Sequence, residues 1–292
     1  MAIVDRQVAG GVERSRRAPR LPRLGVGGYL GLGVLLLLTV VAVLAPAIAP
    51  HDPVRPASGA SLAAPSGDFW LGTDLYSRDV LSRLIYGARV SIGVGVTVTA
   101  VVFVLGAALG LVSAYFGTWL DTVIGRLTDT LMAVPGILLA ITIIAVLGSG
   151  VVNVVIALSL TYLPEMVRVV RGQALSVRRR THVRAATALG ASHRRIMVGH
   201  IAPYVLGPAI VQATFVFAHA MLYESALSFL GLGIQPPNPT WGNIIADALP
   251  YISSAPLQIV FPSLVISGAV LAVNLLGDSL RDLIDPEGSV PR

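Results

Sequence analysis

The chain contains no cysteine and no lysine, so all 21 of its basic residues are arginine. The missing cysteine excludes a disulfide framework and thiolate-ligated zinc or iron–sulfur centres. The missing lysine excludes Schiff-base chemistry and a phosphate-binding P-loop in this chain. If ATP drives the protein, another chain binds it. Charge is scarce too: 12% of the 292 residues are charged and 54% are hydrophobic, against roughly 25% charged in a soluble protein. Water is therefore not the main solvent, and several uncharged runs exceed the ~20 residues that span a bilayer.

What charge there is sits in blocks. The first 23 residues hold Arg6, Arg14, Arg16, Arg17, Arg20 and Arg23 against Asp5 and Glu13, and no charge follows until Asp52. A basic tail leading into an uncleaved anchor helix fits better than a signal peptide. The apolar run 24–49 exceeds the ~7 to 15 residues of a signal core, and Pro50 would follow the cut. Further uncharged runs cover 90–120, 130–164, 196–223 and 248–277. As one helix the 130–164 run would be about 52 Å long, beyond a ~30 Å hydrocarbon core. Gly148, Ser149 and Gly150 therefore predict a tight turn between two helices.

The expected architecture is an all-α polytopic membrane protein with six spans, near 26–49, 90–116, 127–147, 151–169, 204–230 and 257–277. Helices satisfy their own backbone in lipid, and the segments lack the two-residue alternation of a membrane barrel. Residues 168–200 carry eight arginines and no acid, whereas 231–256 carry no arginine. By the positive-inside rule the N-terminus, the arginine-rich loop and the C-terminus share the cytoplasmic side. The loop 50–89 lies outside, its four arginines balanced by Asp52, Asp68, Asp74 and Asp79. Gly27 with Gly31, and Gly106 with Gly110, have small-xxx-small spacing, but among 30 glycines such matches arise by chance.

The informative segment is 181–208, THVRAATALGASHRRIMVGHIAPYVLGP. It reads as two short helices around Gly190, with Ser192 an N-cap and Pro203 and Pro208 marking the start of the fifth span. Val183, Ala186, Ala188 and Leu189 give the first helix a small apolar surface suited to a protein groove. Charge alone favours an arginine-rich loop resting on anionic lipid. This loop is similar, however, to the EAA motif of ABC-importer permeases, with Ala185, Ala186, Gly190, Ile196, His200, Ile201 and Pro203 matching in register. Arg184 replaces the usual glutamate and Ala202 a common leucine.

Three further segments resemble the dipeptide, oligopeptide and nickel permeases and their C-type subunit: LGTDLYSRDVLSRLIYGARVS at 71–91, ESALSFLGLGIQPPNPTW at 224–241 and NLLGDSLRDLIDP at 274–286. Ser77 stands where glycine is usual.

The resemblance, from about residue 24 onward, implies the type I ABC importer permease fold. Its divisions are a basic tail 1–24, a first span 25–50, an external loop 51–89, a permease core 90–280 and a tail 281–292. Within the core, the loop 170–203 is the coupling element. Arg184, Ala185, Ala186, Leu189, Gly190, Ala191, Ser192, Ile196, His200 and Pro203 are its expected ATPase-facing residues. The implied partners are a second permease subunit in a heterodimer, two ATP-binding subunits carrying ATP and Mg, and an extracytoplasmic peptide-binding protein. No cofactor, metal or nucleic acid is expected on this chain. Short peptides are the implied cargo, with nickel chelates, haem, glutathione or other small solutes as the alternative.

Glu224 lies in an apolar segment, where an ionisable side chain is a functional candidate. With Ser225 and Ser228 it is placed in a pathway or gate, against the alternative of a carboxylate that bonds neighbouring backbone. Arg126 and Asp129 read as interfacial anchors. His182, His193 and His200 lack acidic neighbours for a metal site. Residues 231–256 predict a rigid turn and a short amphipathic helix on the outer surface, its aromatics at headgroup depth. A membrane enzyme would need a nucleophile, base or metal constellation, and His219 is the sole histidine in the spans. An ion-driven transporter acting alone usually shows repeated halves and midplane charges, and no repeat is evident.

Overall fold

Proline and glycine decide where the helices of this chain break. The computed structural model describes residues 24–57 and 59–284. The basic tail and most of the C-terminal tail expected above lie outside the described residues. In chain order the helices are α1 (Val26–Ile48), α2 (Val80–Phe116), α3 (Thr118–Met132), α4 (Gly136–Leu147), α5 (Val151–Arg178), α6 (Thr181–Ala188), α7 (His193–Arg195), α8 (Ala202–Phe229), α9 (Trp241–Ala248) and α10 (Leu257–Ile284). A π-helical turn, Ile196–Ile201, joins α7 to α8 without a break.

Among the described residues, five helical runs are long and apolar enough to cross a membrane: α1, α2, α5, the continuous run His193–Phe229, and α10. A sixth would be α3 with α4, which meet at 93°. The single helix expected near 127–147 is therefore a bent pair. Pro135 causes the bend, since it has no N–H to donate and disfavours helical backbone at Val134. The turn at 148–150 forms as expected. Gly148 (φ +87) and Gly150 (φ +138) adopt backbone that L side chains avoid, and Asn153 donates to the carbonyls of Leu147 and Gly148 at 2.9 and 3.0 Å.

The second helix begins at Val80 rather than near residue 90. Asp79 caps it, accepting from the Ser82 N–H at 3.0 Å and the Ser82 hydroxyl at 2.6 Å, which satisfies a donor that helix starts leave open. The spacing discounted in the sequence does work at both sites: Gly27 and Gly31 face α10, where a methyl group on Gly31 would collide with the Ala272 carbonyl oxygen, and Gly106 and Gly110 face α5. A methyl group on Gly110 would sit 2.7 Å from the Val167 carbonyl oxygen, so only glycine lets the two backbones approach this closely.

One core cluster lies among α2, α4, α5 and α8 and includes Val98, Val102, Leu158, Met166 and Leu227. A second joins α1, α2, α8, α9 and α10 around Trp241 and Met221. The bundle thus has two ends. The loop end carries residues 50–79 and α9. The arginine end carries α6, α7 and the π turn.

Candidate functional site

At the arginine end the chain forms an elbow whose shape follows from local chemistry. α6 stops in a Schellman motif: the Ala191 N–H donates to Ala186 O at 3.1 Å and the Gly190 N–H to Thr187 O at 3.0 Å, with Gly190 at φ +77. That left-handed turn is strained for any residue with a Cβ. Ser192 then caps α7, accepting from the Arg195 N–H at 3.4 Å.

Behind the turn, Val183, Ile196 and Ile201 are buried in the main core. The wide π turn brings Ile196 and Ile201, five residues apart, onto one inward side. Pro203 explains the widening, because it offers no N–H to the Gly199 carbonyl that an α-helix would pair with it. Val183 is thus an anchor and not part of the exposed apolar surface expected of it.

The expected coupling residues divide between anchor and surface. Ile196 is buried, and Ala191 packs against the core. Pro203 opens α8, and the His200 ring lies 6.4 Å from that of His182. Arg184, Ala185 and Leu189 project outward, Leu189 at 88% exposure. Arg184 also borders a cavity of about 500 Å³ with Leu175, Arg178 and Arg179. The elbow is a rigidly rooted protrusion with an apolar tip and a cationic flank.

Glu224, Ser225 and Ser228 do come together, in a fully buried knot between α8 and α2. The Glu224 carboxylate accepts from Ser91 Oγ at 2.7 Å, Ser228 Oγ at 2.8 Å and Ser225 Oγ at 3.4 Å. Ser228 Oγ in turn accepts from the Ile234 N–H at 3.2 Å. The partners of Glu224 are hydroxyls, one of them on another helix, so it ties α2 to α8 instead of bonding backbone.

Sequence reasoning missed the densest polar site, at the loop end. Arg78 Nε donates to Asp74 Oδ2 at 2.6 Å. Arg78 and Arg83 both reach Asp247 Oδ2, at 3.2 and 3.3 Å, and Arg83 Nε stands 3.5 Å from Asp74. Asp74, Arg78 and Arg83 are all buried. The readable signal was the equal number of aspartates and arginines in 50–89, taken above as mere neutrality. Asp247 gave no local hint.

α9 corrects another expectation. Its capping box forms through Thr240 and Asn243, but Trp241 is fully buried, with its indole N–H donating to Leu84 O at 3.1 Å. Gly87 and Gly242 open the space that lets this helix sink into the bundle, since a methyl group on either would collide with Trp241 or the Ser225 carbonyl. Asp129 pairs with Arg168 of α5 at 3.0 Å, and Asp121 with Arg171 at 2.6 Å. Among the described residues no three His, Asp or Glu side chains converge as a metal site requires.

Against known families, the model described as "Binding-protein-dependent transport system inner membrane component" matches residues 106–288. The chain is 40% identical to the dipeptide transport system permease protein DppC of Alkalihalophilus pseudofirmus, over 88% of this chain and 85% of that protein. It is 41% identical to the di/tripeptide transport system permease protein DppC of Pseudomonas aeruginosa, over 89% and 88%. To the glutathione transport system permease protein GsiD of Pectobacterium atrosepticum it is 39% identical, over 92% and 89%. With its apolar helices and its EAA-like elbow, the chain belongs to the family of inner-membrane permease components of binding-protein-dependent transport systems.

Proposed function

We propose that this chain is one of two membrane subunits of an ATP-driven importer of short peptides, and that it performs no catalysis itself. The arginine end faces the cytoplasm, because cytoplasmic segments hold the arginine excess. There the elbow around Gly190 sits in a groove of an ATP-binding subunit, which carries the ATP and Mg. Leu189 and Ala185 supply its apolar contact, and Arg184 meets an acidic side chain where relatives of the EAA type present their own glutamate. The loop end faces outward and receives cargo from a binding protein. A second membrane subunit completes the passage.

The single observation that carries this reading is the elbow: an exposed leucine and arginine held on a stiff turn, rooted through Val183, Ile196 and Ile201 in the core between α2, α5 and α8. A push on the tip moves the packed helices rather than a loose loop. Coupling requires different contacts in two packings of the bundle, which nucleotide binding favours unequally. Glu224, Ser225 and Ser228 act here as a gate latch between α2 and α8, because a knot without exposed surface holds helices together and does not line a passage.

The test is reconstitution of the chain with its second membrane subunit, ATPases and binding protein in vesicles. ATP-dependent uptake of a labelled dipeptide is the expected result, and Arg184→Glu should weaken capture of the ATPase. Ion-driven uptake by this chain alone, or no association with an ATPase, overturns the reading. The glutathione relative favours a second cargo: glutathione is itself a tripeptide, so competition between it and the dipeptide separates the two.

A further inference from the structure

The outward faces of the long helices are of two kinds. On α1 they are Leu30, Val34, Leu37, Val40 and Val43, and on α10 Val260, Leu264 and Leu271, the aliphatic surface that hydrocarbon accepts. The outward face of α5 changes along its length: Val152, Ile156 and Leu160 are exposed over its first turns, and from there on the exposed side chains are polar, among them Glu165, Arg168, Gln173 and Ser176, with Thr161 partly exposed. Beside it the α8 face carries Gln212 and His219, two turns apart. The Gln212 amide donates to Glu165 Oε2 at 3.3 Å, so the polar groups of the two helices meet at this point.

Glu165 sits midway along a helix of spanning length, where an ionised side chain in lipid is expensive. The neighbouring cations on α5 are neutralised from α3, Arg168 by Asp129 and Arg171 by Asp121. Among the described residues Glu165 has no cation, only the neutral Gln212 amide. Three positions before it on α5 is Tyr162, whose ring is centred 5.6 Å from that of Tyr223 and 6.1 Å from that of His219. Tyr162 is 5% exposed and its hydroxyl has no hydrogen-bond partner. His219 donates its Nδ1 proton to Phe215 O at 2.9 Å, which leaves Nε2 free to accept. The site therefore offers acceptors and π faces, and the arginine on the same face of α5, Arg168, is already paired with Asp129.

We propose that Glu165, with His219 and Tyr223 nearby and the buried Tyr162 packed behind them, is a cation-receiving station in the wall of the translocation pathway, and that its ligand is the ammonium group of a peptide in transit. The proposal rests on the peptide-importer reading. A carboxylate and aromatic rings together match an ammonium ion by charge and by cation–π attraction. The weak Gln212 contact is one that a passing ammonium displaces and then restores.

The natural absence of cysteine makes the test direct. In the reconstituted importer, single thiols are introduced by Glu165→Cys, Thr161→Cys and, on the aliphatic face, Leu264→Cys. A membrane-impermeant thiol reagent should modify positions 161 and 165 and spare 264, and dipeptide delivered by the binding protein should slow modification at 161. Glu165→Gln should lower maximal dipeptide uptake roughly tenfold, the effect of losing one charge-assisted contact, and Glu165→Asp should restore much of it. If the unaltered importer takes up no peptide, the functional reading itself fails. If uptake is intact but the position 165 thiol reacts only with a lipid-soluble reagent, or is shielded and cross-links to the second membrane subunit, the station is overturned and the importer stands.

Discussion

The two ends of the bundle use the same ion-pair chemistry to opposite effect. At the loop end Asp74, Arg78 and Arg83 are shut away from water, with Asp247 closing the ring. At the arginine end Arg168 and Asp129 meet at 3.0 Å with 58% and 67% of their side chains exposed. Coulomb attraction is similar in vacuum, but removing one partner strands a buried charge in the first case and exposes a hydrated one in the second. The ion pairs of the loop end are locked by their surroundings, and the Arg168–Asp129 pair is open to water.

The largest expected effect comes from breaking that lock. Asp74→Ala leaves Arg78 and Arg83 sharing Asp247 alone, and should destabilise the protein by about 3–5 kcal/mol. Thermal unfolding in detergent, followed by tryptophan fluorescence, reads this through the buried Trp241. A loss below about 1 kcal/mol would mean that water reaches the network, and the contrast between the ends would disappear. Joint replacement with Arg78→Met and Arg83→Met should recover part of the loss, because no buried arginine is then left unpaired and Asp247, 30% exposed, keeps contact with water.

Next in size is the Glu224 knot. Glu224→Ala removes the acceptor of Ser91 and Ser228 and should cost about 1–3 kcal/mol. A double-mutant cycle with Ser91→Ala checks that the α2 to α8 tie carries the effect. Additive losses in that cycle would show that Glu224 acts within α8 only.

Gly190→Val probes the other end. A methyl group there meets no atom within 4 Å, so the cost is confined to the left-handed backbone, about 1–2 kcal/mol. The melting temperature should move little, while ATP hydrolysis and peptide uptake part company. Gly190→Asn, which tolerates this backbone, should keep them linked. Normal uptake by the valine variant would count against the elbow as the transmitting element.

The elbow was legible in the sequence because its causes are local. Gly190 and Ser192 act on residues within five positions, and the turn and the cap fell where those residues predict. The fifth span did not start at Pro203 and Pro208, because the second short helix runs through the π turn into α8 as one helix, His193–Phe229. The membrane class was legible for the same reason, since an uncharged run reports its own surroundings. The loop end was not. Arg83 and Arg89 made residues 80–89 look like loop, yet Arg83 is buried because Asp247, 164 positions away, is brought to it. Trp241 looked like a headgroup aromatic, and only the space beside Gly87 and Gly242 shows that it is buried. Glu165 was overlooked because it borders an arginine-rich stretch; its isolation from cations appears only once α3 is seen to neutralise Arg168 and Arg171.

The smallest expected effect lies within the arginine end and sharpens the comparison further. Asp121 binds Arg171 through two oxygens, at 2.6 and 2.7 Å, and also accepts from Ser113 Oγ. Asp129 makes a single contact with Arg168. Asp129→Ala should therefore cost under about 1 kcal/mol and weaken further as salt is added, as exposed pairs do. Asp121→Ala should cost more, because a bidentate pair fixes geometry and leaves Ser113 without its acceptor. Parallel melting curves at low and high salt decide the point. If the two substitutions cost the same, exposure does not set the strength of these ties. The bent α3 would then be held against α5 by its backbone path around Gly117 and Pro135, and the ion pairs would be passengers on that geometry.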